Sequence, residues 1–288
     1  MRFYFPIILL PIILMSVQPA KASEPEIEVR AFEQSSTDVF DVLTQIMQAD
    51  AAYAAGEYAA ALESYRFVYF HDRGQERATL GYANSALATG QIALADSLFK
   101  TLKSDAARTG QVLCAVMQGT TAHPEAALRL RLETAADDSR VWNALGHVLD
   151  ADGRGAQARQ AYAMAGLAGQ RAGLTENNLG QSFLMEGDWD TAQTHFTRAV
   201  LQAPGQARFD NNRRLTMMLK GNFAEAISGV APDRASQLLG DAGIIAARKK
   251  ELILAKTLFE TAQSLSPVYD QALNSHIDRL NTQIQAQL

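Results

Sequence analysis

One spacing constrains this chain more than any other: glycine, small and aromatic residues recur every 34 positions. From Gly173 to Gln206 run Leu179-Gly180, Phe183, Gly187, Trp189, Ala192, Phe196, Ala199 and Pro204. One period earlier, the stretch opening at Ser139 keeps the register with Trp142, Leu145-Gly146, Leu149, Gly153, Ala158, Tyr162 and Ala165. One period later, from Ala207, come Met217, Gly221, Phe223 and Ala226. A recurrence of this length is the mark of a repeat array, in which one unit cannot bury its apolar face alone and must stack on its neighbours, and no strand-type alternation competes with helices. Small residues such as Gly180 and Ala192 let the two helices approach. Aromatics such as Phe196 and Tyr162 fill the gap to the next unit. Gly153, Gly187 and Gly221 stand where a tight turn ends the first helix, and Pro204 stops the second.

The same pattern extends in both directions. Gly56, Tyr58, Ala61 and Tyr65 mark a unit near 42–75, and Gly90, Ile92, Ala95 and Phe99 one at 76–109. Residues 110–138 form a shortened, degenerate unit, with Pro124 suited to the first turn of its second helix. Units at 139–172, 173–206 and 207–235 follow. The last, 236–268, carries Gly243, Leu252, Ala255, Phe259, Ala262 and Pro267, with Lys250 where the turn glycine belongs. Residues 269–288 read as one amphipathic helix with Leu273, Ile277, Leu280 and Ile284 on one face, a cap for the last unit. This sequence resembles the tetratricopeptide repeat (TPR). The resemblance implies an all-α solenoid, a right-handed superhelix of seven helix–turn–helix units over 38–268, closed by the C-terminal capping helix.

The first 22 residues read as a secretory signal. Arg2 is the charge of the n-region, Phe3 to Met15 is almost wholly apolar, and Ala20-Lys21-Ala22 supplies the small-x-small cleavage pattern. Pro6 and Pro11 interrupt the apolar run, which falls short of the roughly 20 residues a membrane anchor needs. Cleavage before Ser23 removes Arg2 and Lys21 and no acid, deepening the net charge from −5 to −7. Residues 23–37 form an acidic, mobile leader, with Ser35 to Asp38 a helix start. The only cysteine is Cys114, so no lipobox stands at the cleavage site and no internal disulfide forms. Cys114 sits in an apolar stretch and reads as core. The expectation is an exported, periplasmic protein without a transmembrane segment after cleavage.

Catalytic patterns are missing. There is no Walker loop, no Gly-x-Ser-x-Gly elbow, no Cys-x-x-Cys and no metal-binding histidine pair; the five histidines fall in different units. Asp150-Ala151-Asp152-Gly153 opens like a calcium loop, but Ala161 stands where the closing acid belongs. An acidic chain without a basic block does not suit nucleic acid. The expectation is no enzyme, no cofactor, no metal, no small-molecule substrate, and a protein or peptide partner.

Two candidate surfaces follow. In the TPR register, positions 2, 5, 9 and 12 of each first helix usually face the concave surface. They are Arg140, Asn143, His147 and Asp150; Leu174, Asn177, Gln181 and Leu184; and Arg208, Asn211, Leu215 and Met218. Asn143, Asn177 and Asn211 share one position, and Asn178 and Asn212 follow two of them. A column of amides offers donor and acceptor to an extended peptide; repeat ancestry alone also aligns them. Arg140, Asn143, His147, Asn177, Asn178, Gln181, Arg208 and Asn211 are the candidate peptide-binding residues. The second surface is Tyr65-Arg66-Phe67-Val68-Tyr69-Phe70. Tyr65 is a core position, and a helix cannot turn all four aromatics to one core. Phe67, Tyr69 and Phe70 form either a docking patch or packing against the leader or the next unit.

A narrower resemblance runs from Ala207 to Leu273. It is carried by Asn211-Asn212, Gly221-Asn222-Phe223-Ala224-Glu225-Ala226, Asp241-Ala242-Gly243-Ile244-Ile245-Ala246, Ala255-Lys256-Thr257-Leu258-Phe259-Glu260 and Leu265-Ser266-Pro267-Val268-Tyr269. This is similar to the TPR protein of bacterial tight-adherence (Flp-type, or Tad) pilus systems. The resemblance implies a scaffold for pilus or secretin assembly. Members are commonly lipoproteins, whereas this chain has no lipobox, which implies a soluble adaptor rather than a lipid-carried pilotin. The alternative is a periplasmic TPR adaptor of peptidoglycan synthesis or cell division. Such adaptors often carry an N-terminal coiled coil, for which residues 23–41 are too short.

Overall fold

A computed structural model describes residues 37–266 and 270–286, with side chains from Val42 onward. The expected signal segment, nearly all of the acidic leader, and Pro267 to Tyr269 lie outside the described residues. Those residues hold fifteen α-helices and no strand. The chain divides into two compact units, parting between Ala135 and Ala136.

The first unit contains α1 (Thr37–Ala55), α2 (Tyr58–His71), α3 (Glu76–Ala88), α4 (Ile92–Lys100), α5 (Asp105–Met117) and α6 (Pro124–Leu132). Consecutive helices pack as hairpins. Tyr65 of α2, Tyr82 of α3, Phe99 of α4 and Cys114 of α5 belong to one buried apolar cluster. The Tyr65 hydroxyl donates to Asp50, whose carboxylate also pairs with Arg77. Burial pushes the Cys114 thiol up to about 11, so it packs as a small hydrophobe rather than a reactive thiolate. Thr37 already lies in α1, so the helix begins one residue inside the segment read as leader. α5 begins at Asp105, ahead of the unit boundary placed at 110. α4 ends at Lys100 after only nine residues, and Ser104, in extended conformation, precedes the new helix.

The second unit contains α7 (Ser139–Ala151), α8 (Gly155–Leu167), α9 (Ala172–Glu186), α10 (Trp189–Gln202), α11 (Ala207–Leu219), α12 (Phe223–Ile227), α13 (Pro232–Arg248), α14 (Leu252–Leu265) and α15 (Gln271–Gln285). α7, α9, α11 and α13 are first helices; α8, α10, α12 and α14 are second helices. Second helices begin 34 residues apart at Gly155, Trp189 and Phe223. In three hairpins an aromatic ring of the second helix lies against a glycine of the first. A Cβ on Gly180 would stand 2.8 Å from the Phe196 ring, one on Gly243 2.8 Å from Phe259, and one on Gly146 would overlap Tyr162. These rings, expected between units, thus seat first within their own hairpin.

α12 is only five residues long, because Ser228 is extended, Gly229 turns left-handed at φ 71°, and Pro232 starts the next helix at its N-terminal position. α13 therefore begins at Pro232, ahead of 236. α15 is capped by Asp270, whose Oδ1 accepts from the backbone N–H groups of Ala272 and Leu273 at 2.8 and 3.2 Å. Its Leu273 and Leu280 are buried in the cluster that contains Phe259.

The turns share one hydrogen bond. The N–H of the residue after the turn position donates back to a carbonyl five residues earlier: Arg154 to Leu149 at 2.8 Å, Asp188 to Phe183 at 3.0 Å, Asn222 to Met217 at 2.9 Å, and Glu251 to Ala246 at 3.0 Å. This closure places the turn residue in the left-handed region. Gly153, Gly187 and Gly221 adopt it freely, and Lys250 is forced into it at φ 65°. Replacing a strained non-glycine residue at such a site relieves about 1 kcal/mol. Lys250→Gly is expected to raise the thermal midpoint by a few degrees, with unchanged helix content, as read by circular dichroism.

Candidate functional site

The first helices α7, α9 and α11 bring the asparagine column together, in a staircase rather than a straight line. Asn178 Nδ2 donates to Asn143 Oδ1, and Asn212 Nδ2 donates to Asn177 Oδ1 at 2.8 Å. Asn177 Nδ2 donates to Asn178 Oδ1 at 3.3 Å. Each inter-helix rung therefore joins residues 35 apart, one step off the repeat, because neighbouring first helices meet edge to edge. Asn177 and Asn178 are each only 2% exposed. Their amides are used within the fold, so these two residues do not line an open groove. The same packing buries Asp150, Leu215 and Met218, three further positions expected at the concave surface.

The remaining candidates keep partial access. Arg140 is anchored at the start of α7, its Nε and Nη2 donating to the Asp138 carboxylate at 3.0 and 2.7 Å. The Arg208 guanidinium lies 4.9 Å from the Phe209 ring centroid. Asn143, His147, Gln181 and Asn211 are half-buried. Arg140, His147, Gln181, Arg208 and Asn211 thus form a polar, mildly basic row on three consecutive first helices.

Behind this row lies a buried polar network. Tyr162 Oη donates to Asp150 Oδ2 at 2.9 Å, and Ser182 Oγ donates to Asp150 Oδ1 at 2.7 Å. His147 Nδ1 is 3.0 Å from Tyr162 Oη. With the phenol proton on Asp150, the imidazole N–H donates to the phenol oxygen. Arg159 donates to Ser182 at 3.3 Å, pairs with Glu186 at 2.8 Å and lies 4.3 Å over the Phe183 ring. Burial drives the Asp150 carboxyl above its usual range, opposed by the Ser182 and Tyr162 hydrogen bonds. Burial raises the Tyr162 phenol, and Asp150 adds to the shift. Burial lowers the His147 imidazole to about 4, with the Arg208 charge contributing. The sequence reading put Asp150 on the surface; the signal that places it inside is Ser182, 32 residues on, facing it from the adjacent first helix.

In the first unit, Phe67 and Phe70 are exposed, at 41% and 62%. Tyr69 is half-buried and packs on the core, its ring 5.6 Å from that of Tyr82. Phe67 lies 4.1 Å from the His71 ring, and the Arg73 guanidinium sits 6.0 Å over Phe70. The surface part of this patch is therefore Phe67 and Phe70. Among the described residues, no cluster of histidine, cysteine or carboxylate could hold a metal, and no helix is long and apolar enough to cross a membrane.

The 34-residue spacing of second helices, their glycine turns and the ring-on-glycine seats decide the architecture. The fold is an all-α tetratricopeptide-repeat solenoid. Among solved structures, the chain is similar to the APC/C hetero-tetramer Cut9–Hcn1, with a TM-score of 0.51 at 15% identity over 85% of this chain and 44% of that one. A tetratricopeptide repeat protein of Parabacteroides merdae matches with a TM-score of 0.45 at 12% identity, over 83% of this chain and 98% of that one. A thermophilic TPR protein of Thermus thermophilus matches with a TM-score of 0.47 at 17% identity, over 65% and 98%. No protein-family model and no curated protein matches the sequence.

Two outcomes follow from the site. Asn177→Ala takes the donor from Asn178 Oδ1 and the acceptor from Asn212 Nδ2, and is expected to cost roughly 1–3 kcal/mol in urea unfolding. Asn211→Ala, one repeat on and without a side-chain hydrogen bond among the described residues, should stay within about 0.5 kcal/mol of wild type. The second concerns acid. An unfolded histidine titrates near ~6.5. Between that value and the folded value of about 4 the unfolded chain binds more protons, so the His147 contribution to stability falls as the pH drops. The raised Asp150 carboxyl acts in the opposite sense. Going from pH 7 to pH 4.5, wild type should lose roughly 2 kcal/mol more than His147→Gln in chemical unfolding. Equal losses would remove His147 as the acid-sensitive group.

Proposed function

We propose that this protein is a non-enzymatic interaction scaffold that holds an extended peptide or helix of a protein partner across α7, α9 and α11. The observation that carries the reading is the partly accessible row of Arg140, Gln181, Arg208 and Asn211, with the half-buried His147 beside it, on a backing stiffened by the asparagine staircase. A rigid backing lowers the ordering cost of binding, and amide and guanidinium groups suit a peptide backbone or carboxylate. The signal-like residues 1–22 favour a periplasmic setting. The likeness of Ala207 to Leu273 to tight-adherence pilus proteins favours support of Flp-type pilus or secretin assembly.

The test is affinity capture from bacterial envelope extract with mature protein from Ser23 onward, beside a Gln181→Ala, Arg208→Ala, Asn211→Ala triple variant. These three positions avoid the buried Asn177 and Asn178, whose loss would confuse binding with folding. Expected is retention of a secretin or pilus component by wild type and a loss of about tenfold or more in the folded variant. Equal retention by both moves the contact to Phe67 and Phe70. Capture of cell-wall synthesis or division proteins instead would replace the pilus role with the peptidoglycan adaptor.

A further inference from the structure

The last first helix and the capping helix enclose a small open cavity that neither candidate surface includes. It lies between α13 and α15, measures about 220 Å³, and is lined among others by Asp241, Ile244, Phe259, Asp270, Leu273 and His276. That is below the roughly 300–1,000 Å³ of small-molecule sites. One side is flat: the half-buried His276 imidazole stacks on the buried Phe259 ring at 4.8 Å between centroids and 8° between planes, and Ile244 adds an exposed apolar side chain. Two carboxylates line it, with no lysine or arginine.

The two carboxylates are not equivalent. Asp270 is committed to capping α15. Ser236, also at the wall, donates its hydroxyl away to the Ala262 carbonyl at 2.7 Å. Asp241 is half-buried, and no donor among the described residues hydrogen-bonds its carboxylate. Burial holds its carboxyl above the usual range, and the Arg234 charge only partly opposes this. A carboxylate with so little solvation gains most from a cation brought beside it. The flat His276 ring and the exposed Ile244 side chain suit the methylene stem that carries such a cation.

We propose that this cavity receives a lysine or arginine side chain of a protein partner, its stem on the His276 ring and Ile244 and its charge on Asp241. The α13–α15 cavity is separate from the row on α7, α9 and α11, so either can fail without the other. The test uses the isotope-labelled full mature chain and two short peptides, Ac-AARAA-NH2 and Ac-AAQAA-NH2, followed by nuclear magnetic resonance. Expected is a saturable shift of the Asp241 carboxyl and His276 ring signals with the arginine peptide alone, together with a fall in the Asp241 titration midpoint. Asp241→Asn keeps the side-chain shape and removes a charge that burial disfavours, so it folds. It should bind the arginine peptide about tenfold more weakly, while Asp233→Asn, on the exposed start of the same helix, binds as wild type. Equal shifts with both peptides, no saturation, or full binding by Asp241→Asn would overturn the proposal.

Discussion

The seat of an aromatic ring on a bare glycine backbone is the contact on which the second unit depends. At Tyr162 on Gly146, Phe196 on Gly180 and Phe259 on Gly243, the ring occupies the space a Cβ would need. The two helices of a hairpin can then lie close, and the ring buries most of its area without displacing either backbone. The tight turn at the far end works with it. A left-handed residue and its back-donated hydrogen bond return the chain in register, so that ring and glycine meet. Where the turn residue is Lys250, that pairing is strong enough to hold a non-glycine residue in the same conformation.

Close hairpins bring successive first helices side by side, and this creates the polar interior. Asn143, Asn177, Asn178 and Asn212 can exchange hydrogen bonds only because α7, α9 and α11 are held at amide–amide distance. Asp150 is tolerated inside because Tyr162 and Ser182 both donate to it, from α8 and α9. Buried polar groups with satisfied partners resist slippage, since any shift strands a donor or acceptor. Fewer polar groups stay accessible than the repeat register alone implies, and those on the row are arginine, glutamine and histidine more than asparagine.

At the C-terminal end the stacking stops, and α15 substitutes for a further hairpin. A single helix covers the Phe259 side with Leu273 and Leu280 but does not fill it as a hairpin would. The cavity beside Asp241 is what that substitution leaves. The shortened α12 has a similar local origin: Ser228, Gly229 and Pro232 end one helix and begin another before the period is complete.

Much of this was legible in the residues. A 34-residue recurrence of glycine, alanine and aromatic positions demands paired helices that stack, because no single pair can hide its apolar face. The left-handed site at Lys250, the core place of Tyr65 and Cys114, Pro124 at a helix start and the apolar face of the last helix were each visible as local chemistry. Too many aromatics for one helical face left Phe67, Tyr69 and Phe70 open between surface and packing, and only the packing singled out Phe67 and Phe70 as exposed. The fate of the asparagines was not legible. Register places Asn143, Asn177 and Asn211 alike, but side chains on adjacent helices meet one residue out of step, so whether an amide faces solvent or its neighbour depends on interhelical distance. The burial of Asp150 and the isolation of Asp241 have the same cause. The sequence by itself determined which helices form and that they pair. Only tertiary packing decided which polar groups those pairs consume and which they leave at the surface, because hydrogen bonding acts over a few ångströms between segments far apart in the chain.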